Sequence, residues 1–256
     1  MPKRLWVDKF EIKPNKWVFV QSLEHKKRGL ALVAGLARRW SPPSFYYHFR
    51  EGGHVAALKS HKRHQYFFYI DIRDFFGSIN KTRITRILKK HMKYDAARSV
   101  ANFSTVKIKS NSEEKYVLPF GFTQSPFLSA MCLDDSQLGR LLREYSVLSS
   151  SGSLNVSVYM DDIILSSSNL KYLTDAGQSI LTAVNRSGFE IKDIGDADVK
   201  ELVEVFNVRL SQGLLEITQE KMHDFSMRYA VSSNENEQLG IYNYVKSINP
   251  AQAALL

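Results

Sequence analysis

The segment Tyr66-Phe-Phe-Tyr-Ile-Asp-Ile is a dense run of aromatic and β-branched side chains interrupted only by Asp71. Such a run reads as a central strand that delivers Asp71 at or near its end. An ionised carboxylate is costly to bury alone, so Asp71 requires a cation or an open cleft. The same demand arises at Asp161 and Asp162, which follow Val156-Ser-Val-Tyr-Met and precede Ile163-Ile-Leu-Ser. That stretch reads as two short strands meeting at the acids, a hairpin with carboxylates at its tip.

Adjacent like charges repel unless something positive stands between them, and a divalent metal supplies that charge. Hard oxygen ligands select magnesium, or manganese, over zinc. Two such ions can activate an attacking oxygen and hold a leaving group, which is the chemistry of phosphoryl transfer. In a chain-extending enzyme the nucleophile is a primer 3′-hydroxyl, the electrophile a nucleoside triphosphate and the leaving group pyrophosphate. Taken singly, an Asp-Asp pair is more often a solvated turn and a strand-terminal Asp more often a cap. Three of them in strand contexts point to a shared task.

Elsewhere the periodicity is mixed. Ile84, Ile87 and Leu88 mark a short helix with a basic end. A second helix starts at Ser125-Pro126 and carries Leu128, Met131, Cys132, Leu138, Leu141 and Leu142 on its buried side. Tyr172 to Val184 reads as helix, Phe206 to Leu210 and Leu214 to Ile217 as paired strands, and the remainder as helix and turns. Without a strict βαβ rhythm the fold class is α+β. The 256 residues suit a single working unit, and no repeat appears. The serine clusters Ser149–Ser153 and Ser166–Ser168 flank a short apolar run and do not form a linker.

Lys and Arg number 35 against 26 Asp and Glu, a formal charge of +9 that makes nucleic acid the first partner to test. Basic residues crowd the first third among Trp17, Trp40, Phe45, Tyr46, Tyr47 and Phe49, which suits a nucleic-acid groove as well as a basic surface over an aromatic core. His54, His61 and His64 lack cysteine partners and lie among Arg and Lys, so they read as a helix near nucleic acid and not as a zinc site. The lone Cys132 excludes an internal disulfide and fits a reducing cytoplasm. The N-terminus carries charge without a following apolar core, so no export signal or membrane anchor is expected.

Asp71-Ile-Arg-Asp-Phe-Phe-Gly-Ser-Ile and Tyr159-Met-Asp-Asp resemble motifs A and C of reverse transcriptases. Leu118-Pro-Phe-Gly-Phe-Thr-Gln-Ser-Pro lies between them and resembles motif B. Gly188-Phe-Glu-Ile and Val205-Phe-Asn-Val-Arg-Leu are similar to later palm segments, and Gly240-Ile-Tyr-Asn-Tyr-Val-Lys-Ser-Ile-Asn-Pro is similar to the closing thumb segment of bacterial retron-type enzymes. The resemblance implies a right-hand polymerase, with fingers and palm in residues 1–212 and the end of the palm with a short thumb in 213–256. It makes Asp71, Asp161 and Asp162 the catalytic metal ligands for Mg2+ (or Mn2+), joined by the Ile72 backbone carbonyl.

By the same resemblance Phe76 stands where a ring excludes a ribose 2′-hydroxyl, while Arg73 and Asp74 face solvent. Motif B departs from the family pattern, in which Pro-Gln-Gly sets a glutamine against the nucleotide. Here Phe120 precedes Gly121 and a glutamine returns later as Gln124, so these three are the candidate nucleotide contacts: either Gln124 restores the hydrogen bond from a shifted position or the Phe120 ring packs against the sugar or base. Lys13 and Lys16 are candidate triphosphate holders, and either Lys192 or Lys200 matches the family's late palm lysine. The implied activity is RNA-templated DNA synthesis from deoxynucleoside triphosphates in a retron-like or anti-phage defence system, with a structured RNA and a partner protein. Two rivals stand beside it: a template-independent or protein-primed polymerase, and a catalytically silent nucleic-acid-binding scaffold.

Overall fold

The computed structural model describes residues 5–13, 16–110, 113–148, 153–193 and 197–256. Residues 1–4 of the N-terminal segment and residues 149–152 of the first serine cluster lie outside them. The elements run β1 (Trp6–Lys13), β2 (Lys16–Gln21), α1 (Leu23–Ala37), α2 (Gly53–His61), β3 (Tyr66–Asp71), α3 (Lys81–Leu88), α4 (Tyr94–Ser104), β4 (Val106–Ser110) and β5 (Glu113–Val117). Next come α5 (Ser125–Asp134), α6 (Gln137–Leu148), β6 (Asn155–Tyr159), β7 (Asp162–Ser167), α7 (Leu170–Arg186), β8 (Val199–Lys200) and β9 (Leu202–Val205). The chain closes with β10 (Val208–Ser211), β11 (Leu214–Ile217), α8 (Gln219–Val231), α9 (Glu235–Ile248) and α10 (Pro250–Ala253). Helices and antiparallel hairpins alternate, so the fold is α+β as expected. Among the described residues no helix is long and apolar enough to cross a membrane.

The chain forms two compact units. One comprises Phe45–Ile70, Glu144–Ser179 and Asp193–Leu256. Its centre is a four-stranded sheet in the order β6-β7-β3-β8, so the aromatic run read as a central strand is one, with neighbours on both sides. β6 and β7 pair antiparallel from Asn155↔Ser166 to Tyr159↔Asp162, leaving Met160 and Asp161 as a two-residue turn. A second sheet, β11-β10-β9, packs with α8, α9 and α10 through Val203, Val205, Leu210, Ile217, Phe225 and Val245, a cluster that also takes in Phe67 and Ile164. The strand expected from Phe206 begins at Val208 instead. Phe206 and Asn207 both have φ of 58° and form the turn between β9 and β10, a geometry that period-2 patterning does not register.

The other unit comprises residues up to Ser44, Asp71–Arg143 and Ile180–Lys192. α1 begins where the Ser22 hydroxyl accepts the His25 N–H at 3.2 Å. The single helix expected from Ser125 through Leu142 is two. The Ser136 hydroxyl accepts the Gly139 N–H at 3.1 Å and starts α6 afresh, while the Met131, Leu138 and Leu142 spacing runs across the break and hides it. Any Cβ at Gly139 would come within 2.5 Å of the Asp134 backbone, so the corner needs a glycine.

Candidate active site

The β6–β7 turn is the first part of the site. Met160 sits at φ 58°, a left-handed conformation that a non-glycine residue keeps only when its surroundings over-determine it. Here the Met160 N–H donates to His48 Nδ1 at 3.2 Å, and the Val158 N–H donates to the Phe45 carbonyl at 2.8 Å. The turn presents Asp161 and then Asp162, whose Oδ1 accepts the Tyr69 hydroxyl at 2.6 Å. Asp162 opens β7, the strand beside β3 in the sheet. Because side chains alternate along a strand, Tyr69 and Asp71 share one face of β3 while Phe68 and Ile70 share the other.

Asp71 is the last residue of β3, where the chain passes into the other unit. Within that unit residues 71–73 pair with 190–192. The Asp71 carbonyl accepts the Lys192 N–H at 2.9 Å, Ile72 bridges Ile191, and the Arg73 N–H donates to the Glu190 carbonyl at 2.8 Å. This pairing carries the Lys192 ammonium to 3.3 Å from Asp71 Oδ2. Lys200 lies in β8, paired with Phe67, so of the two sequence candidates Lys192 is the one at Asp71. Arg73, expected to face solvent only, also donates to the Lys192 carbonyl at 2.6 Å.

Phe76, Phe120 and Lys16 come together in this same unit. The Phe76 and Phe120 rings meet edge to face at 4.7 Å, and the Lys16 ammonium lies 4.3 Å over the Phe120 ring. Phe76 is only 8% exposed. β2 docks on the motif B segment, with the Phe19 N–H donating to the Phe120 carbonyl at 2.9 Å. Gly121 has φ of 94°, and a Cβ there would strike the Phe19 carbonyl, so glycine is required for this approach. Asp74, at φ 43°, is exposed as a residue, but its carboxyl folds back on the Gly77 amide. Burial holds that carboxyl above its ordinary value, against the opposing pull of the Gly77 N–H and of Lys16. Lys13 pairs with Lys16 across β1–β2 and is exposed.

Gln124 is fully buried. Its Oε1 accepts from Gln21 Nε2 at 3.2 Å, and Gln21 Oε1 in turn accepts from the Thr123 N–H at 2.8 Å and the Thr123 hydroxyl at 2.6 Å. The two glutamines thus tie β2 to the start of α5, with His25 bridging from Gln21 to the Phe103 carbonyl.

Sequence reasoning passes over Tyr69 and His48, and reads His54 only as part of a helix near nucleic acid. The first was legible from alternation with Asp71. The His54 ring lies 5.7 Å from Tyr159, 5.1 Å from Phe206 and 5.8 Å from Tyr244, and its Nε2 is 3.1 Å from the Tyr244 hydroxyl. No local pattern announces that gathering. His61 and His64, expected near nucleic acid, are buried instead. His61 contacts the Ser166 hydroxyl at 2.7 Å and the Ser157 hydroxyl at 2.8 Å, and His64 contacts Ser166 at 2.7 Å. Phe45, Tyr46 and Tyr47 are likewise core, whereas Trp17 is exposed with Lys9 at 4.4 Å over its ring. Among the described residues no group of three or more His, Cys, Asp or Glu side chains is gathered to hold a metal. The carboxylates present are nonetheless hard oxygen donors of the kind magnesium accepts.

A family model described as reverse transcriptase (RNA-dependent DNA polymerase) matches residues 37–193. Two solved structures share the fold. The foamy viral protease-reverse transcriptase dRH in complex with dsDNA has 16% identity and a TM-score of 0.53, over 93% of this chain and 35% of that one. The foamy viral protease-reverse transcriptase in complex with dsDNA has 15% identity and a TM-score of 0.52, over 93% and 42%. The chain therefore spans less than half the length of either. No curated protein sequence matches it. The family model covers more than half of the chain, and the chain belongs to the reverse transcriptase family.

Proposed function

We propose that this protein is a magnesium-dependent polymerase that extends a primer 3′-hydroxyl with deoxynucleotides, copying RNA in a retron-like or anti-phage defence setting. The observation that carries the reading is the β6–β7 turn. It presents Asp161 and Asp162 side by side and half-buried, with Asp162 held by Tyr69 on the β3 face that also bears Asp71. Asp71, Asp161, Asp162 and the Ile72 carbonyl are the assigned magnesium ligands. The bound ions would activate the 3′-hydroxyl and stabilise departing pyrophosphate.

The chain's own groups divide the remaining work. Tyr69 fixes the orientation of Asp162 by donating to one of its carboxylate oxygens. Lys192 supplies countercharge at Asp71 until a cation displaces it; as an exposed pair this contact contributes under about 1 kcal/mol and is readily given up. Lys16, with Lys13 beside it, is assigned to the triphosphate. Phe76, propped edge-on by Phe120, is assigned to exclude the 2′-hydroxyl. With Gln124 engaged by Gln21, the Phe120 ring and Gly121 remain as the motif B surface for the nucleotide. The division into fingers and palm (1–212) and thumb (213–256), a structured RNA and a partner protein belong to the same reading and rest on the motif resemblance.

Purified protein incubated with labelled deoxynucleotides and Mg2+ tests it, with and without added RNA template and primer. Asp161→Ala/Asp162→Ala is expected to abolish incorporation and leave nucleic-acid affinity within about a few fold, because removing two carboxylates weakens no phosphate contact. Undiminished synthesis by the double variant sinks the metal assignment. Products formed without any nucleic acid would favour template-independent or protein-primed synthesis.

A further inference from the structure

A second concave site lies within the unit that holds α3 and α5, with a volume of about 710 Å³ and Arg83, Arg86, Arg140 and Arg186 in its lining. None of its lining residues belongs to the acidic or aromatic groups assigned above. Three helix ends build it. α3 carries Arg83 and Arg86 three residues apart and so on one face, α6 offers Arg140 in its first turn, and α7 ends in Arg186. The helix N-termini themselves are occupied: Asn80 Oδ1 accepts the Arg83 N–H at 2.9 Å, and the Ser187 hydroxyl accepts the Leu138 N–H at 2.9 Å. Attraction for an anion therefore comes from the guanidinium groups and not from bare backbone amides.

Charge in this site is unbalanced. Its lining contains one carboxylate, Asp135, and Lys90 from outside the lining is ion-paired to it. Among the described residues no ion pair joins Arg86, Arg140 or Arg186 to an acid. Arg83 lies 4.1 Å over the Phe189 ring, which fixes its plane. Burial holds its guanidinium below the ordinary value and the neighbouring Arg86 adds to the effect, with Cys132 and Asp135 opposing. Four guanidinium groups around one cavity repel in the free chain, and an anion bound among them removes that cost.

Geometry narrows the anion. Guanidinium forks bind phosphate oxygens two at a time, and Ser78, Thr82 and Ser136 add hydroxyl donors at the wall. The volume falls in the range of small-molecule pockets. No aromatic side chain lines the cavity, so it lacks the stacking platform on which single-stranded nucleic acid settles its bases. We propose that Arg83, Arg86, Arg140 and Arg186 form a binding site for a compact polyphosphate anion, an inorganic polyphosphate or a nucleoside polyphosphate, separate from the polymerising centre.

The test is isothermal titration of the full chain with sodium triphosphate and with ATP, in EDTA so that the acidic site contributes nothing through metal. Both probes should bind, with equal affinity if the phosphates alone are read and with ATP tighter if the nucleoside adds contacts. Arg140→Gln/Arg186→Gln, at exposed positions, should weaken binding at least about tenfold, and Arg140→Lys/Arg186→Lys should fall between because charge persists without the fork. Lys16→Ala should change affinity less than about twofold, which separates this site from the proposed triphosphate contact in the active site. Circular dichroism checks that each variant is folded. The proposal is overturned if neither probe binds, if the loss appears with Lys16→Ala and not with the arginine pair, or if the arginine pair weakens a short single-stranded RNA while leaving triphosphate binding unchanged.

Discussion

At the scale of single residues, the site is organised by what each polar group is already doing. Phe76 illustrates the point: its ring is nearly buried, yet Phe120 and not a glutamine supports its edge. Removing the ring with Phe76→Ala is expected to raise ribonucleotide incorporation relative to deoxynucleotide by about tenfold or more, since a steric gate worth ~1–3 kcal/mol is lost. Steady-state incorporation of each sugar measures it, and an unchanged ratio removes the gate assignment. His61 gives a prediction of another kind. Burial first, and then His64, push its pKa from the ordinary 6.5 to about 3. Below pH 6.5 the unfolded chain takes up a proton that the native chain refuses down to about pH 3, so stability is complete above that window and declines as pH falls through it. The slope is ~1.4 kcal/mol per pH unit for this group, and His48, lowered to about 4, acts in the same direction. Urea midpoints should therefore drop between neutral pH and about pH 5 by the equivalent of roughly 2 kcal/mol or more, and the slope should shrink in His61→Gln. A flat wild-type profile contradicts the buried neutral imidazole.

At the scale of elements, the strands and hairpins bearing acids were plain in the sequence, because aromatic and β-branched runs bounded by turn residues admit few alternatives. Two features were not. The α5–α6 corner is masked by apolar spacing that continues through it, and the one local signal for it is Ser136 as an N-cap residue. The β9–β10 turn was missed because Phe206 is a poor choice for a left-handed position. Its ring explains the exception, lying 5.3 Å from Tyr159 and 5.1 Å from His54. Strain of ~1–3 kcal/mol at φ 58° opposes aromatic contacts of ~0.5–1.5 kcal/mol each, so the two nearly cancel. Phe206→Asn should shift stability by less than about 2 kcal/mol while reducing polymerisation, because Tyr159 loses one wall beside the acidic turn. Thermal unfolding and primer extension on the same preparation decide it, and a large stability loss with full activity would argue the reverse division of roles.

For the molecule as a whole, the charge of +9 is an expectation of a polyanion partner, which the proposed function takes up. Composition could not reveal how that charge is apportioned. Trp17, Lys9 and Lys16 lie on the N-terminal hairpin, whereas four arginines surround a separate cavity. Single-stranded RNA affinity should fall steeply with salt, with a log–log slope of about −0.7 per phosphate contacted. Lys13→Ala/Lys16→Ala should flatten that slope by about one unit or slightly more, and filter binding across a salt series reads it directly. An unaltered slope would place the backbone contacts elsewhere on the surface. Pairings far apart along the chain, such as Lys192 with Asp71 or Gln21 with Gln124, were beyond a linear reading because spacing carries no information about which distant donor meets which acceptor.

The serine–histidine stitch in the β3 sheet unit also bears on inheritance. A neutral imidazole has one donor and one acceptor, so His61 needs Ser157 and Ser166 in opposite senses, and His64 shares the second serine. Losing His61 or either serine strands a desolvated polar atom at a cost of ~1–3 kcal/mol, and losing His64 removes one of the two partners of Ser166. Mutational drift should consequently replace the quartet as a bloc with apolar residues or retain it intact. Descendant sequences in which these positions change independently would show that the lattice of protons is dispensable.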